Sequence, residues 1–352
     1  MLNTKHRRAL LGLALSSFFA LVQFRLIIML FGADYGRAVD AAAGVLAGKP
    51  HWRTFQARVL GPLLIDRISP LFPSFFDAHV CFSIVTLAVM GYLAWRIGWR
   101  VGANLGAAML ALFVFETSFS FLLTPHWLYA WDYLNIIVFL VFVDFVVAGR
   151  SWPWFVALWA IGIFSRETAA FIAVWMILEA LSRRYFARRP GGGGERLDRG
   201  MLIAGIVSLV LGAAIVQAIT RALFIEEVGP KIFNDVAGEG GRAFYALRIA
   251  KNFDIAIDSL TRFQYDMPFV ILIYLGVTLV LAIGIMRADR RRYFAFGLTY
   301  IAHIATTLVF GILNETRVFV EQIPLVILGT LVLTRLNGRP ERAPGFGIGD
   351  DP

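Results

Sequence analysis

The chain has 352 residues, 59% of them hydrophobic and only 16% charged, with a formal net charge of +9. Soluble domains carry roughly 45–50% apolar and about 25% charged residues, so this composition excludes an ordinary water-soluble globule and suits a protein built for lipid. A basic excess can mark a nucleic-acid binder, but these arginines cluster in short stretches between apolar runs, as in the cytoplasmic loops of a multi-pass membrane protein, and no nucleic-acid partner is expected.

MLNTKHRR opens the chain, followed by an apolar run from Ala9 to Phe31. That run exceeds the ~7–15-residue core of a signal peptide and no small-x-small cleavage site follows, so it is expected to stay as an uncleaved first span. Further runs near the ~20 residues needed to cross a bilayer lie at 77–97, 102–123, 128–148, 201–224, 267–286, 293–312 and 318–335. The single cysteine, Cys81, falls in one of them, which rules out an intramolecular disulfide and a cysteine-based zinc site. Lys5, Arg7, Arg8, Arg96, Arg100, Arg150, the stretch 183–199, RADRRR at 287–292, and Arg335, Arg339 and Arg342 punctuate the runs and are expected in the cytoplasm.

WAIGIFSRETAAFIAVWMI, residues 159–177, holds Arg166 and Glu167 in the middle of an apolar stretch. Ionisable groups there cost at least ~2.5–3.5 kcal/mol each at a helix centre. Basic residues flank 153–181 on both sides, so a single crossing would strand one cluster outside. Two short pieces, 153–164 and 169–181, with SRET at the turn, keep both clusters inside, and such broken helices are tolerated where they line a protein or water cavity. The expected fold is therefore all-α: a polytopic integral membrane protein of eight full spans plus a short broken-helix pair, both termini cytoplasmic. Residues 1–352 form one transmembrane domain, with a first outer loop at 32–76, a cytoplasmic Arg/Gly-rich loop at 183–200, a second outer loop at 225–266 and a cytoplasmic tail at 336–352.

This topology collects the polar motifs at the outer face. In ADYGRAVDAAAGVLAGK (33–49), Ala38, Ala41, Ala42, Val45 and Leu46 recur at three- and four-residue spacing, which predicts an interfacial helix over 34–47 with Asp34 at its positive end. Asp34 is either a plain N-cap or a general base facing a membrane-level cavity. Arg58 precedes a Gly-Pro break in FQARVLGPL and is either a snorkelling interfacial residue or a phosphate clamp. HWLYAWDYLN (126–135) supplies an aromatic belt and Asp132, which takes a buried structural partner or contacts substrate, and His126, a weak metal candidate. In NETRVFVEQ (314–322), Glu315 and Arg317 lie at the turn between the last two spans, and the four-residue spacing of Arg317 and Glu321 allows a pair on one helix face. Arg166 and Glu167 complete the set as the tip of the broken pair.

The layout, with ADYGRAVDAAAGVLAGK as its first outer loop, resembles the GT-C superfamily of polytopic glycosyltransferases, which use polyprenyl-phosphate-linked sugars; FQARVLGPL, SRET and NETR are similar to outer-face motifs of bacterial multispanning proteins of this kind. The resemblance implies that Asp34 is the catalytic acidic residue, and that the chain moves a sugar from a lipid-linked donor to a glycan, lipid or protein acceptor at the outer face of the inner membrane. Arg58, Arg166 and Arg317 are then the cations for the leaving phosphate, and Asp132, Glu167, Glu315 and Glu321 further substrate contacts. The chain departs from the pattern in lacking a paired Asp-Asp or Asp-Glu after span one and a large soluble outer domain. No metal ligands are assigned, and a divalent cation is left open as a cofactor. Two other readings fit the same residues: a transporter or flippase of a lipid-linked or anionic solute, and a non-catalytic subunit of polysaccharide assembly.

Overall fold

The computed structural model describes residues 4–47, 57–123, 128–187, 197–222, 248–261, 267–311, 313 and 315–337. Residues 188–196 of the Arg/Gly-rich loop, 225–247 and 262–266 of the second outer loop, His126, Asn314 and the tail beyond Asn337 lie outside them. Among the described residues all regular structure is helical: α1 Thr4–Phe31, α2 Tyr35–Leu46, α3 Leu60–Ile68, α4 Phe75–Gly102, α5 Leu105–Leu122, α6 Ala130–Val147, α7 Trp152–Gly162, α8 Ala170–Ala187, α9 Arg199–Ala222, α10 Ile249–Thr261, α11 Met267–Ala288, α12 Arg290–Phe310 and α13 Ile323–Asn337. Among the described residues, eight helical segments are long and apolar enough to cross a bilayer, and they coincide with the eight expected runs. The protein is an all-α, multi-pass membrane protein.

Local chemistry sets the helix starts. Ser74, Asn104, Asp198 and Asp289 each accept a hydrogen bond from the backbone N–H three residues on, giving α4, α5, α9 and α12 a partner for an otherwise orphaned donor. Gly32, at φ +53, supplies the left-handed turn that separates α1 from α2. The Gly-Pro expected to break the chain at 61–62 does not: Pro62 sits in the first turn of α3, where a missing N–H costs no intrahelical bond.

The broken pair is present as α7 and α8, joined by Ile163–Arg166 and a short 3-10 turn, Glu167–Ala169. Only its first arm is short. At 1.5 Å per residue the 11-residue α7 runs about 17 Å, whereas α8 continues past 181 to Ala187, about 27 Å, with Arg183 bonded back to Glu179 at 2.8 Å. Helix α8 packs between α9 and α12, and α6 lies against α4 and α7.

Arginines gather at one end of the bundle. Arg8 lies over the Trp99 ring at 4.6 Å, Arg96 and Arg100 each reach Asp144 at 2.7 Å, Arg292 donates to the Val147 carbonyl, and Arg335 donates to that of Val101. The beginning of α1 and the end of α13 both emerge here. The tip of the α7–α8 pair meets the opposite end, at the start of α6, where Ser165 donates to the Trp131 carbonyl at 3.0 Å.

Candidate functional site

At that opposite end four parts of the chain converge: the start of α3, the start of α6, the α7–α8 tip and the 3-10 turns before α13. Glycine makes the first contact possible. A Cβ on Gly61 would stand 2.9 Å from the Ala130 backbone, and the Leu60 N–H donates to the Phe164 carbonyl at 3.0 Å, so α3 seats directly on α6 and the tip. Asp132 occupies the third position of α6 and closes a capping box with Tyr129, whose backbone N–H it accepts at 3.0 Å.

The inner part of the site is dry. Arg166, with a side chain only 6% exposed, pairs with Asp132 at 3.3 Å and Glu321 at 2.9 Å, both fully buried. Glu321 also accepts from Asn135 and Thr168 on one oxygen and meets His303 Nε2 at 2.7 Å on the other. One carboxylate thus ties α6, the hairpin tip and α12 to the turn before α13, by bonds that are strong because the charges have few competing waters.

The outer part is wetter. Arg58 forms a two-bond pair with Glu167, whose side chain is 46% exposed, and Arg317 pairs with Glu315 at 3.1 Å. Both arginines lie against a stacked aromatic pair, Tyr129 and Trp131, with centroids 4.8 Å apart. Arg317 sits over the Tyr129 ring at 5.0 Å and Arg58 over Trp131 at 6.0 Å, so each ring of the pair carries a guanidinium. Burial weakens the hold of Arg58 on its proton relative to a free arginine, and Glu167 opposes that effect. Desolvation raises the Glu167 carboxyl, but the Arg58 and Arg166 guanidiniums outweigh it and keep it below the usual carboxylate range.

Helix α2 covers this stack. Ala38, Ala41 and Val45, three of the positions expected on its buried face, lie with Val59 against Tyr129 and Trp131. Asp34 stands at the head of α2 and pairs with Arg37 at 3.1 Å; its side chain makes no capping bond to the helix it precedes. The structure therefore gathers Arg58, Asp132, Arg166, Glu167, Glu315, Arg317 and Glu321 around one site, with Asp34 in the turn just before the helix that roofs it.

One pairing differs from expectation. Arg317 and Glu321 do not pair four residues apart, because 316–322 is two short 3-10 turns broken at Phe319 rather than an α-helix face. Each turns to another partner, Glu315 for the first, Arg166 and His303 for the second. Sequence reasoning missed Asn135, Thr168 and His303 as members of the site. His303 had a usable signal, an ionisable side chain inside an apolar run, the same signal that singled out Arg166. Among the described residues no set of three or more His, Cys, Asp and Glu side chains converges to hold a metal ion. Comparisons of the chain with protein-family models, curated proteins and solved structures find no match.

Proposed function

We propose that this multi-pass membrane protein is a glycosyltransferase of the GT-C kind, moving a sugar from a polyprenyl-phosphate donor to an acceptor glycan, lipid or protein at the outer face of the inner membrane. One observation carries the reading: the cluster of Arg58 and Arg317 against the stacked Trp131 and Tyr129 rings at one end of the bundle, roofed by the helix that follows Asp34. A phosphate whose prenyl chain stays in hydrocarbon needs fixed cations at that depth, and guanidinium forks suit it.

In the step proposed, an acceptor hydroxyl attacks the anomeric carbon while its proton passes to the Asp34 carboxylate. The bond from that carbon to the lipid phosphate breaks, and the phosphate leaves with the electron pair. Arg58 and Arg317 stabilise the departing charge. Their carboxylate partners, Glu167 and Glu315, are partly exposed and can yield to an incoming phosphate, whereas Arg166 is committed to two fully buried acids. Arg166 thus acts as the residue that holds the tip in place. The transporter reading calls for matched interruptions in two halves, and the described residues hold one interrupted pair.

Asp34→Asn tests the reading directly. The amide is nearly isosteric and cannot accept a proton at neutral pH, so turnover should fall ~10²–10⁴-fold with fold and donor affinity kept. Mass spectrometry of lipid-linked sugars and surface glycans in a deletion strain, complemented with wild type or the variant, reads the effect. Unchanged lipid-linked pools and glycans in the deletion strain would remove the transferase reading, and wild-type transfer by Asp34→Asn would remove Asp34 as the base.

A further inference from the structure

Helix α10 lies in a segment that reads as an outer loop, yet it divides cleanly into three faces. Asn252 and Ser259 are buried against the protein, 5% and 2% exposed, with Ile255 and Ala256 beside them half-buried. Ile249, Phe253, Ile257 and Leu260 form a second, apolar stripe that is 55%, 65%, 45% and 49% exposed. Lys251, Asp254 and Asp258 make a third face, exposed and charged. At 100° per residue these are three adjacent arcs, as required of a helix at the corner where protein, hydrocarbon and water meet.

The ends of α10 are fixed at the level where two spans end. The Arg248 N–H donates to the Val309 carbonyl at 2.7 Å, in the last turn of α12, and Asn252 Nδ2 donates to the carbonyls of Leu308 and Gly311 at 2.7 and 2.8 Å. Asn252 Oδ1 accepts from the Leu313 N–H at 2.9 Å. At the other end, only residues 262–266 separate Thr261 from Met267, where α11 begins. Because α10 abuts the start of one span and the end of the next, it cannot stand far from the bilayer surface. Helix α11, against which α10 packs, also carries exposed apolar side chains, with Ile273, Val277 and Val280 at 46%, 47% and 67%.

We infer that α10 is a membrane-interface helix: its Ile249–Phe253–Ile257–Leu260 stripe is embedded among lipid acyl chains of the outer leaflet, with Lys251, Asp254 and Asp258 turned to water. Helices of this kind sink ~5–10 Å into the boundary between headgroups and acyl chains, with affinity that scales with the apolar area buried. Through Asn252, α10 also holds the chain at 311–313, just before Glu315 and Arg317, so the bilayer surface and the depth of the charged site are set together. The inference does not rest on the transferase reading and stands for any function of the site.

The test uses the full-length protein in vesicles of phosphatidylcholine and phosphatidylglycerol. Single cysteines replace Phe253, Ile257, Asp254 and Asp258 in a Cys81→Ser background, with Cys81→Ala as a second background in case serine is not tolerated. Each carries a nitroxide, and collision rates are read with oxygen, which concentrates in lipid, and with a water-soluble nickel chelate. Oxygen should dominate at 253 and 257 and the chelate at 254 and 258, the ratio inverting with the helical period. Equal chelate access at all four positions would overturn the inference by placing the helix in water. Shielding of 253 and 257 from both reagents would overturn it in favour of a protein cover, whether a second copy or residues 223–247.

Discussion

The two ends of the bundle use the same ingredients in opposite ways. At the arginine-rich end one buried carboxylate, Asp144, faces two arginines whose side chains are 40% and 30% exposed. At the other end one arginine, Arg166, faces two carboxylates with no exposure, and its own side chain is 6% exposed. The first arrangement lets guanidiniums reach water along their apolar stems, so it tolerates the loss of a partner. The second has no such escape. Removing one member leaves buried charged or polar groups short of a partner in a dry interior, which costs far more than the pair gains in net stability. Charge at the first end belongs to topology, while charge at the second must be held in place by the rest of the fold.

The largest expected effect tests that contrast. Glu321→Ala strips the common partner from Arg166, Asn135, Thr168 and His303, and should destabilise the protein by about 3–5 kcal/mol, the range for breaking a buried ion pair. Asp144→Ala should cost about 1 kcal/mol or less, because Arg96 and Arg100 relax into solvent. Unfolding in mixed micelles, followed by circular dichroism against denaturant fraction, compares the two. Equal losses would mean that both ends are equally wet.

Asn252→Ala is expected to fall between them. It removes one acceptor and one donor group that together serve Leu308, Gly311 and Leu313, and it leaves the Leu313 N–H without its bond inside the protein. A loss of about 1–3 kcal/mol follows from an unmet buried donor. Hydrogen exchange should show the change concentrated in α10 and at 311–318. A loss spread evenly over the bundle would show instead that Asn252 is ordinary packing.

The spans were legible because each is a long apolar run bounded by charge, and that signal is carried by consecutive residues. The α7–α8 pair was legible for a related reason: Arg166 and Glu167 violate the run. Helix α10 was not, since its apolar, buried-polar and charged arcs average to an unremarkable loop composition until the neighbours of each face are known. The partners of the charged site were hidden more deeply. Glu321 meets Asn135, 186 residues away in sequence, and Thr168, 153 away, and nothing local to any of the three records that meeting. The Arg317–Glu321 spacing misled because it presumes α-helical geometry, and Phe319 interrupts the helix there.

The smallest expected effect concerns Glu167, the one carboxylate of the site that is nearly half open to water, and it sharpens the contrast from the wet side. Arg58 and Arg166 hold its carboxyl below the usual range despite the opposing effect of desolvation. A carboxylate bound more weakly to its proton in the folded state adds stability that is complete above the unfolded value, ~4.3, and is lost as pH falls through the folded one. Glu167→Gln lacks that contribution at every pH. Wild type should therefore exceed the variant by a constant margin between about pH 5 and 8, and the two should converge in acid. Solvent screening of so exposed a group keeps the margin under ~1 kcal/mol. Paired unfolding curves from about pH 3 to 8 decide the sign: a wild type less stable than the variant at neutral pH, the deficit vanishing in acid, would mean that desolvation outweighs the arginines, and that the outer part of the site is as dry as the inner.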